Sequence, residues 1–208
     1  MSKSDIENKK ILDVGCGYGW FERYALKHKA EHVCGVEISD TDLAIARKHV
    51  NTPQAEFKVG SGVQIPYDNG AFDTVVSWEV IEHIPESAEP LMFAEVARVL
   101  KKDGTFYLST PYDSFWSKTL DPAFFLIGHR HYSLEQLKEF AELTGFTLET
   151  WTVKGRWWEL FTILNLYFSK WVLRRGVLFE KFFESRRNKE YQQEKGFAII
   201  FTKFRKVA

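Results

Sequence analysis

The sequence predicts an α/β fold on a mostly parallel sheet, and three observations carry that reading. Short β-rich apolar runs alternate with helix-like segments through the first 110 residues, the helix-like segments carry their own start and stop residues, and a glycine-rich turn follows the first run. The candidate strands are residues 10–14, 32–36, 56–59, 72–78, 105–109, 146–153 and 197–204.

Helix boundaries follow from capping chemistry. Ser39 is placed to cap a helix running to about Val50, and 85–100 carries apolar positions at helical spacing before Lys101-Lys102-Asp103-Gly104. Ser133 with Gln136 reads as a capping box, and Gly145 as the stop of the helix it starts.

Composition limits the function classes. A chain of 208 residues with 45% hydrophobic residues fits a single domain over 1–208. Lysine plus arginine equal aspartate plus glutamate at 28 each, so there is no net field to gather a polyanion, and a nucleic-acid partner is not expected. The two cysteines, Cys16 and Cys34, lie in or beside apolar strand-like runs and read as packing residues. With no signal-peptide pattern before the first strand, a cytoplasmic setting is expected.

The turn Asp13-Val14-Gly15-Cys16-Gly17-Tyr18-Gly19 places three glycines where a strand must turn sharply into a helix and let a ligand lie on its backbone. The spacing is G-x-G-x-G with Trp20 next, not the G-x-G-x-x-G of dinucleotide sites, and no P-loop pattern is present. An acid ahead of the glycines repels a diphosphate but suits a cationic ligand. Glu37, twenty-four residues after Asp13 at the end of the second strand, is placed to accept both hydroxyl hydrogens of a ribose.

With Ile65-Pro66-Tyr67, Ala71-Phe72-Asp73, Trp78-Glu79-Val80-Ile81-Glu82-His83 and Leu100 to Gly104, these residues resemble the class I S-adenosylmethionine-dependent methyltransferases of the small-molecule type, which include quinone O-methyltransferases. The resemblance covers about residues 9–155. It implies a Rossmann-like three-layer sandwich, a seven-stranded mostly parallel sheet with an antiparallel last strand, and a helical insertion before that strand. It also implies S-adenosylmethionine as cofactor, held by Asp13 and the turn Gly15, Cys16, Gly17, Tyr18 and Gly19, with Glu37 on the ribose and Ile38 on the adenine. Ser61, Gly62 and Val63 stand where the family often has an adenine-binding acid, and Trp78 and Glu79 would line the methionine side.

A sulfonium methyl group is already electrophilic, so the protein has to place an acceptor, exclude water and in some cases remove a proton. His83, His129 and His131 are the candidates for that last role, against a plain reading as packing or surface-loop residues. Glu79, Glu82 and His83 stand at i, i+3 and i+4, a set that on one helical turn can hold a divalent ion. A similar E-x-x-E-H stretch binds metal in some quinone and RNA-end methyltransferases; a metal is not expected here.

Residues 111–132 read as a substrate lid, with Tyr112, Phe115, Trp116, Phe124 and Phe125 as an apolar lining. The stretch from Trp151 to Tyr191 holds eleven aromatic residues, four of them tryptophan, too many for an ordinary connection. A helix from Trp157 to about Leu173 would carry a narrow polar stripe of Glu159, Thr162, Asn165 and Ser169, end at Lys170, Arg174, Arg175 and Gly176, and be followed by a second helix over 177–195. This 156–195 insertion is too short and interrupted to span a membrane. Extra core, a homodimer contact and peripheral membrane contact through 157–183 stay open. Together, the two aromatic segments point to a small or lipid-like acceptor methylated at oxygen; the alternatives are a non-catalytic binding protein on the cofactor fold, or methylation of RNA or protein, for which no basic stripe is present.

Overall fold

The computed structural model describes residues 1–193 and 195–207. Strands β1 (Lys10–Val14), β2 (His32–Glu37), β3 (Ala55–Val59), β4 (Phe72–Trp78) and β5 (Leu100–Pro111) run parallel. β6 (Phe146–Lys154) and β7 (Ile199–Lys206) complete one sheet of order β3-β2-β1-β4-β5-β7-β6, with β7 antiparallel to both neighbours.

Helices α1 (Trp20–Lys27) and α2 (Asp40–His49) cover one face, while α3 (Glu89–Val99) lies on the other. Helices α4 (Phe115–Leu120) and α5 (Pro122–Ile127) follow β5, and α6 (Leu134–Leu143) packs beside α3. Helices α7 (Trp157–Tyr167) and α8 (Glu180–Tyr191) form the insertion before β7. A parallel strand is buried on both sides, which is why β1 reads as an almost continuous apolar run. Leu12, Val14, Val75 and Leu108 face Met92, Phe93 and Val96 of α3, whereas Ile11, Val33, Val76 and Tyr107 pack with Phe21 and Ala25 of α1. The result is the expected Rossmann-like three-layer sandwich.

Capping chemistry sets the boundaries as read. Ser39 Oγ accepts the Asp42 N–H at 3.2 Å, and Ser133 and Gln136 form a reciprocal capping box. Two expectations change. The helix expected over 85–100 begins at Glu89, and Lys101 to Gly104 does not follow it as a stop. Those residues lie inside β5, where Asp103 takes φ 59° and the register to β4 jumps, so an irregularity in the strand absorbs them. The insertion's first helix continues past α7 as a π-helical turn, Phe168–Val172, and the chain reverses with Arg174 at φ 48° rather than at Gly176. Among the described residues no helix is long and apolar enough to cross a membrane.

Candidate active site

The sheet order reverses between β1 and β4, and the carboxyl ends of these two strands open the crevice where ligands of α/β sheets bind. The chain leaves β1 through Gly15, Gly17 and Gly19, all with positive φ, and Gly19 starts α1. At Gly15 (φ 79°) an added Cβ would lie 2.3 Å from Val80 Cγ2, so the backbone reaches the cleft only without a side chain.

The cleft above this turn has a volume of about 480 Å³. Its lining includes Gly15, Glu37, Ile38, Ser61, Gly62, Glu79 and His83. Glu37 is fixed in place by backbone donors: Gly17 N–H reaches one oxygen at 3.2 Å, and Ile38 and Ser39 N–H reach the other at 2.8 and 3.3 Å. Ile38 is 73% exposed at the rim, an apolar surface offered to a flat ring. Ser61 Oγ accepts the Val63 N–H at 3.3 Å, which closes the turn after β3.

Other residues expected to touch the cofactor stand behind the cleft or elsewhere. Asp13 is buried with one oxygen unpaired, and burial, then the charges of Glu22 and Glu37, push its carboxyl well above the usual range. Cys16 packs under α2 with Leu43, Ala46 and Phe57, and Tyr18 is exposed with its carbonyl accepting from His49 Nδ1. Val63 packs against the core beside α3.

Trp78 requires a correction. Alternation along β4 turns its ring to the α1 face, where it meets Phe21, Tyr107 and Phe201 and lines a separate cavity away from the cofactor cleft. Glu79, one residue on, faces the opposite way and takes φ 56°.

The Glu79 backbone leaves the helical phase, so the expected i, i+3, i+4 set does not form on one turn. Its carboxylate instead accepts from Ser109 Oγ at 2.5 Å, while Glu82, His83 and His129 bring donor atoms within 4.8 Å of one another. His129 thus takes the place assigned to Glu79. Glu82 is buried, accepts from Thr110 Oγ1 at 3.0 Å, and burial pushes its pKa up to about 7.

A second cavity of about 260 Å³ lies beyond Glu79. Pro111, Ser117, Asp121, His129 and Ile199 line it together with Glu159, Leu160, Ile163, Leu166 and Tyr167 of α7. Glu79 is shared by both cavities, and His83 in the first meets His129 in the second with Nε2 atoms 3.1 Å apart. Burial holds both imidazoles below the ordinary histidine value; Arg130 adds to this at His83, and His83 adds to it at His129.

Arg130 and Tyr132 bring the pair together. Arg130 donates to Glu89 at 2.5 Å, to the Ile81 carbonyl at 3.0 Å and to the Ile84 carbonyl, and Tyr132 Oη donates to Glu89 at 2.9 Å. The 111–132 segment is thereby clamped onto the 3-10 turn Ile81–His83. His131 lines neither cavity: it is buried, 3.3 Å from Asp121 and beside the Phe124 ring.

Arg130, Tyr167 and Glu190 belong to no motif of the sequence, and Glu159 reads there only as part of a polar stripe. Glu190, from α8, accepts the backbone N–H groups of Arg156, Trp158 and Glu159 at 2.5, 3.1 and 3.2 Å and so caps α7 from a distance. The run His129-Arg130-His131-Tyr132 was a visible signal for the clamp; nothing local marks Glu190 as a cap.

A strand-end glycine turn, a carboxylate at the end of β2 and this strand order define a class I methyltransferase cofactor cleft. Residues 11–104 match the family described as methyltransferase domain, and this stretch is similar to S-adenosylmethionine-dependent methyltransferases. The 24-methylenesterol C-methyltransferase 2 of Arabidopsis thaliana is 36% identical over 105 residues, 49% of this chain and 28% of that protein. The ubiquinone biosynthesis O-methyltransferase of Pseudomonas aeruginosa is 29% identical over 119 residues, 52% of this chain and 47% of that protein. The first curated relatives are spanned over only 28% to 53% of their length. The geranyl diphosphate C-methyltransferase of Streptomyces coelicolor A3(2), solved with Mg2+, geranyl diphosphate and S-adenosyl-L-homocysteine, superposes with a TM-score of 0.68. It shares 17% identity, covers 96% of this chain and 73% of that one, and so shows the fold alone.

Proposed function

We propose that the protein transfers the methyl group of S-adenosylmethionine to a hydroxyl oxygen of a small or lipid-like acceptor. The observation that carries this reading is the pair of cavities meeting at Glu79 and the His83–His129 contact. The first suits the cofactor: Gly15 leaves no room for a Cβ, Glu37 stands ready for a ribose, Ile38 for adenine, and the acid Asp13 lies behind. When bound, the cofactor supplies an electrophilic methyl group.

The second cavity takes the acceptor. Its volume of about 260 Å³ is below the roughly 300–1,000 Å³ of common small-molecule sites, so it suits a compact molecule or the reacting end of a longer one. Leu160, Ile163, Leu166 and Ile199 favour an apolar body. The sterol and ubiquinone-biosynthesis enzymes among the relatives support that class.

Proton removal falls to the histidine pair. With His129 donating its Nε2–H to His83, His129 Nδ1 carries a lone pair and can take the proton shed by the acceptor hydroxyl. Glu79, whose carboxyl burial and the charge of Glu82 push well above the usual range, can orient the acceptor oxygen. His131 acts only through Asp121, which lines the acceptor cavity.

One observation favours an amine acceptor as a second reading: Glu79, Asp121 and Glu159 all line the second cavity and would stabilise a cation there. Turnover with methyl-labelled cofactor against matched phenol-headed and amine-headed isoprenoids separates the two. Label in an ether product supports the first reading and label in the amine alone supports the second. Cofactor binding with no label in either class contradicts a small apolar acceptor.

A further inference from the structure

We propose that the tip of the α7–α8 hairpin docks on an anionic lipid surface. The hairpin inverts the usual arrangement of an amphipathic helix, because its polar stripe is consumed inside it. Asn165 Nδ2 donates to the Leu178 carbonyl at 2.6 Å, Ser169 Oγ accepts the Leu178 N–H at 3.2 Å, and Glu159 is buried against Tyr191 and Arg187. The apolar side is left outward: Phe161, Leu164, Phe168, Trp171, Val172 and Phe179 are exposed, Val172 at 65% and Phe179 at 76%.

Charge selects the occupant. Between Glu159 and Glu180 the sequence has no acid and three cations, Lys170, Arg174 and Arg175, all exposed at the reversal beside Trp171 and Val172. Aromatic and aliphatic side chains flanked by three cations at the reversal, with Glu180 the first acid on the returning chain, match the interface of a bilayer bearing anionic headgroups, where such a face sinks about 5–10 Å. A second copy would set the same three cations against themselves across a symmetric contact. The opposite side of α7, through Leu160, Ile163, Leu166 and Tyr167, lines the acceptor cavity, so docking would put that cavity beside the bilayer. This last consequence rests on the methyl-transfer reading; the docking itself does not.

The test is co-sedimentation of the full chain with phosphatidylcholine vesicles, with and without phosphatidylglycerol, together with light scattering and a calorimetric titration with S-adenosylhomocysteine. Each basic residue near an anionic surface is worth roughly fivefold in partitioning, so neutral vesicles should bind about a hundredfold more weakly. The combined Lys170→Gln, Arg174→Gln, Arg175→Gln variant should lose the same factor on anionic vesicles. The combined Trp171→Ser, Val172→Ser, Leu173→Ser variant should lose at least about tenfold, with unchanged melting, because these side chains are exposed. Failure of folded wild-type protein to sediment with anionic vesicles, or sedimentation of both variants equal to that of wild type, overturns the proposal. A dimer that the serine variant dissociates, without vesicle binding, assigns the surface to a second copy instead. Cofactor binding by both variants keeps this outcome separate from the methyl-transfer reading.

Discussion

The Nε2 atoms of His83 and His129, 46 positions apart in the chain, lie 3.1 Å from each other where the two cavities meet. Neither ring reaches the other through local structure. Arg130 and Tyr132 hold the 111–132 segment on the turn that carries His83, so the contact is a tertiary product of that clamp.

His129→Ala is expected to lower kcat by about 10²- to 10⁴-fold, with cofactor affinity nearly unchanged, because His129 lines the second cavity and not the cleft above the glycine turn. Both imidazoles are held below the ordinary histidine value, so the base is neutral at pH 7 and the wild-type rate should fall only as pH drops below the usual histidine range. Loss of that acid limb in His129→Ala checks the assignment; its persistence contradicts it.

Gly15→Ala should abolish measurable cofactor binding and lower stability by about 1–3 kcal/mol, since it combines a positive φ with a Cβ pressed against Val80. Adding Val80→Ala removes the side chain in the way and should recover part of the stability. Thermal melts and calorimetric titration of the two variants read both effects.

Buried Glu22 gives the protein a pH dependence unrelated to catalysis. Both of its carboxylate oxygens lack partners and it lies against Gly35, where a Cβ would come within 2.7 Å of it; burial pushes its pKa up to about 8 from an ordinary 4.5. A raised folded pKa means the folded state holds the proton more tightly. The stability contributed is complete below about pH 4.5 and is lost as pH rises through about 8. In Glu22→Gln the loss of melting temperature over that window should shrink, and an unchanged slope would refute the account.

Glu190→Ala removes the acceptor of three backbone N–H groups at the start of α7. A lost cap costs about 0.5–2 kcal/mol, and loosening α7 should raise the acceptor KM while leaving cofactor affinity intact. A change in cofactor affinity alone would place α7 in the wrong compartment.

Strands β1 and β4 and the glycine turn were legible in the sequence because their causes are local. Apolar runs match β1 and β4 residue for residue, and Gly15, Gly17 and Gly19 belong to one strand-to-helix turn, which the parallel pairing of β1 with β2 sets beside Glu37. Trp78 was misplaced because the face a strand residue takes depends on its register, which follows from pairing with β5. The polar stripe of α7 was visible as a stripe, but its inward direction depends on Asn165 and Ser169 meeting Leu178 on the returning chain. The second cavity assembles residues from Glu79 to Ile199, and no spacing rule links them.

Calorimetric titration of the folded protein with S-adenosylmethionine tests the central claim most directly. The account predicts saturable binding at one site, lost in Gly15→Ala and weakened about 10- to 100-fold in Glu37→Ala, which removes the acceptor offered to the ribose. Well-folded wild-type protein that binds no S-adenosylmethionine, or binds it equally in all three forms, would contradict it.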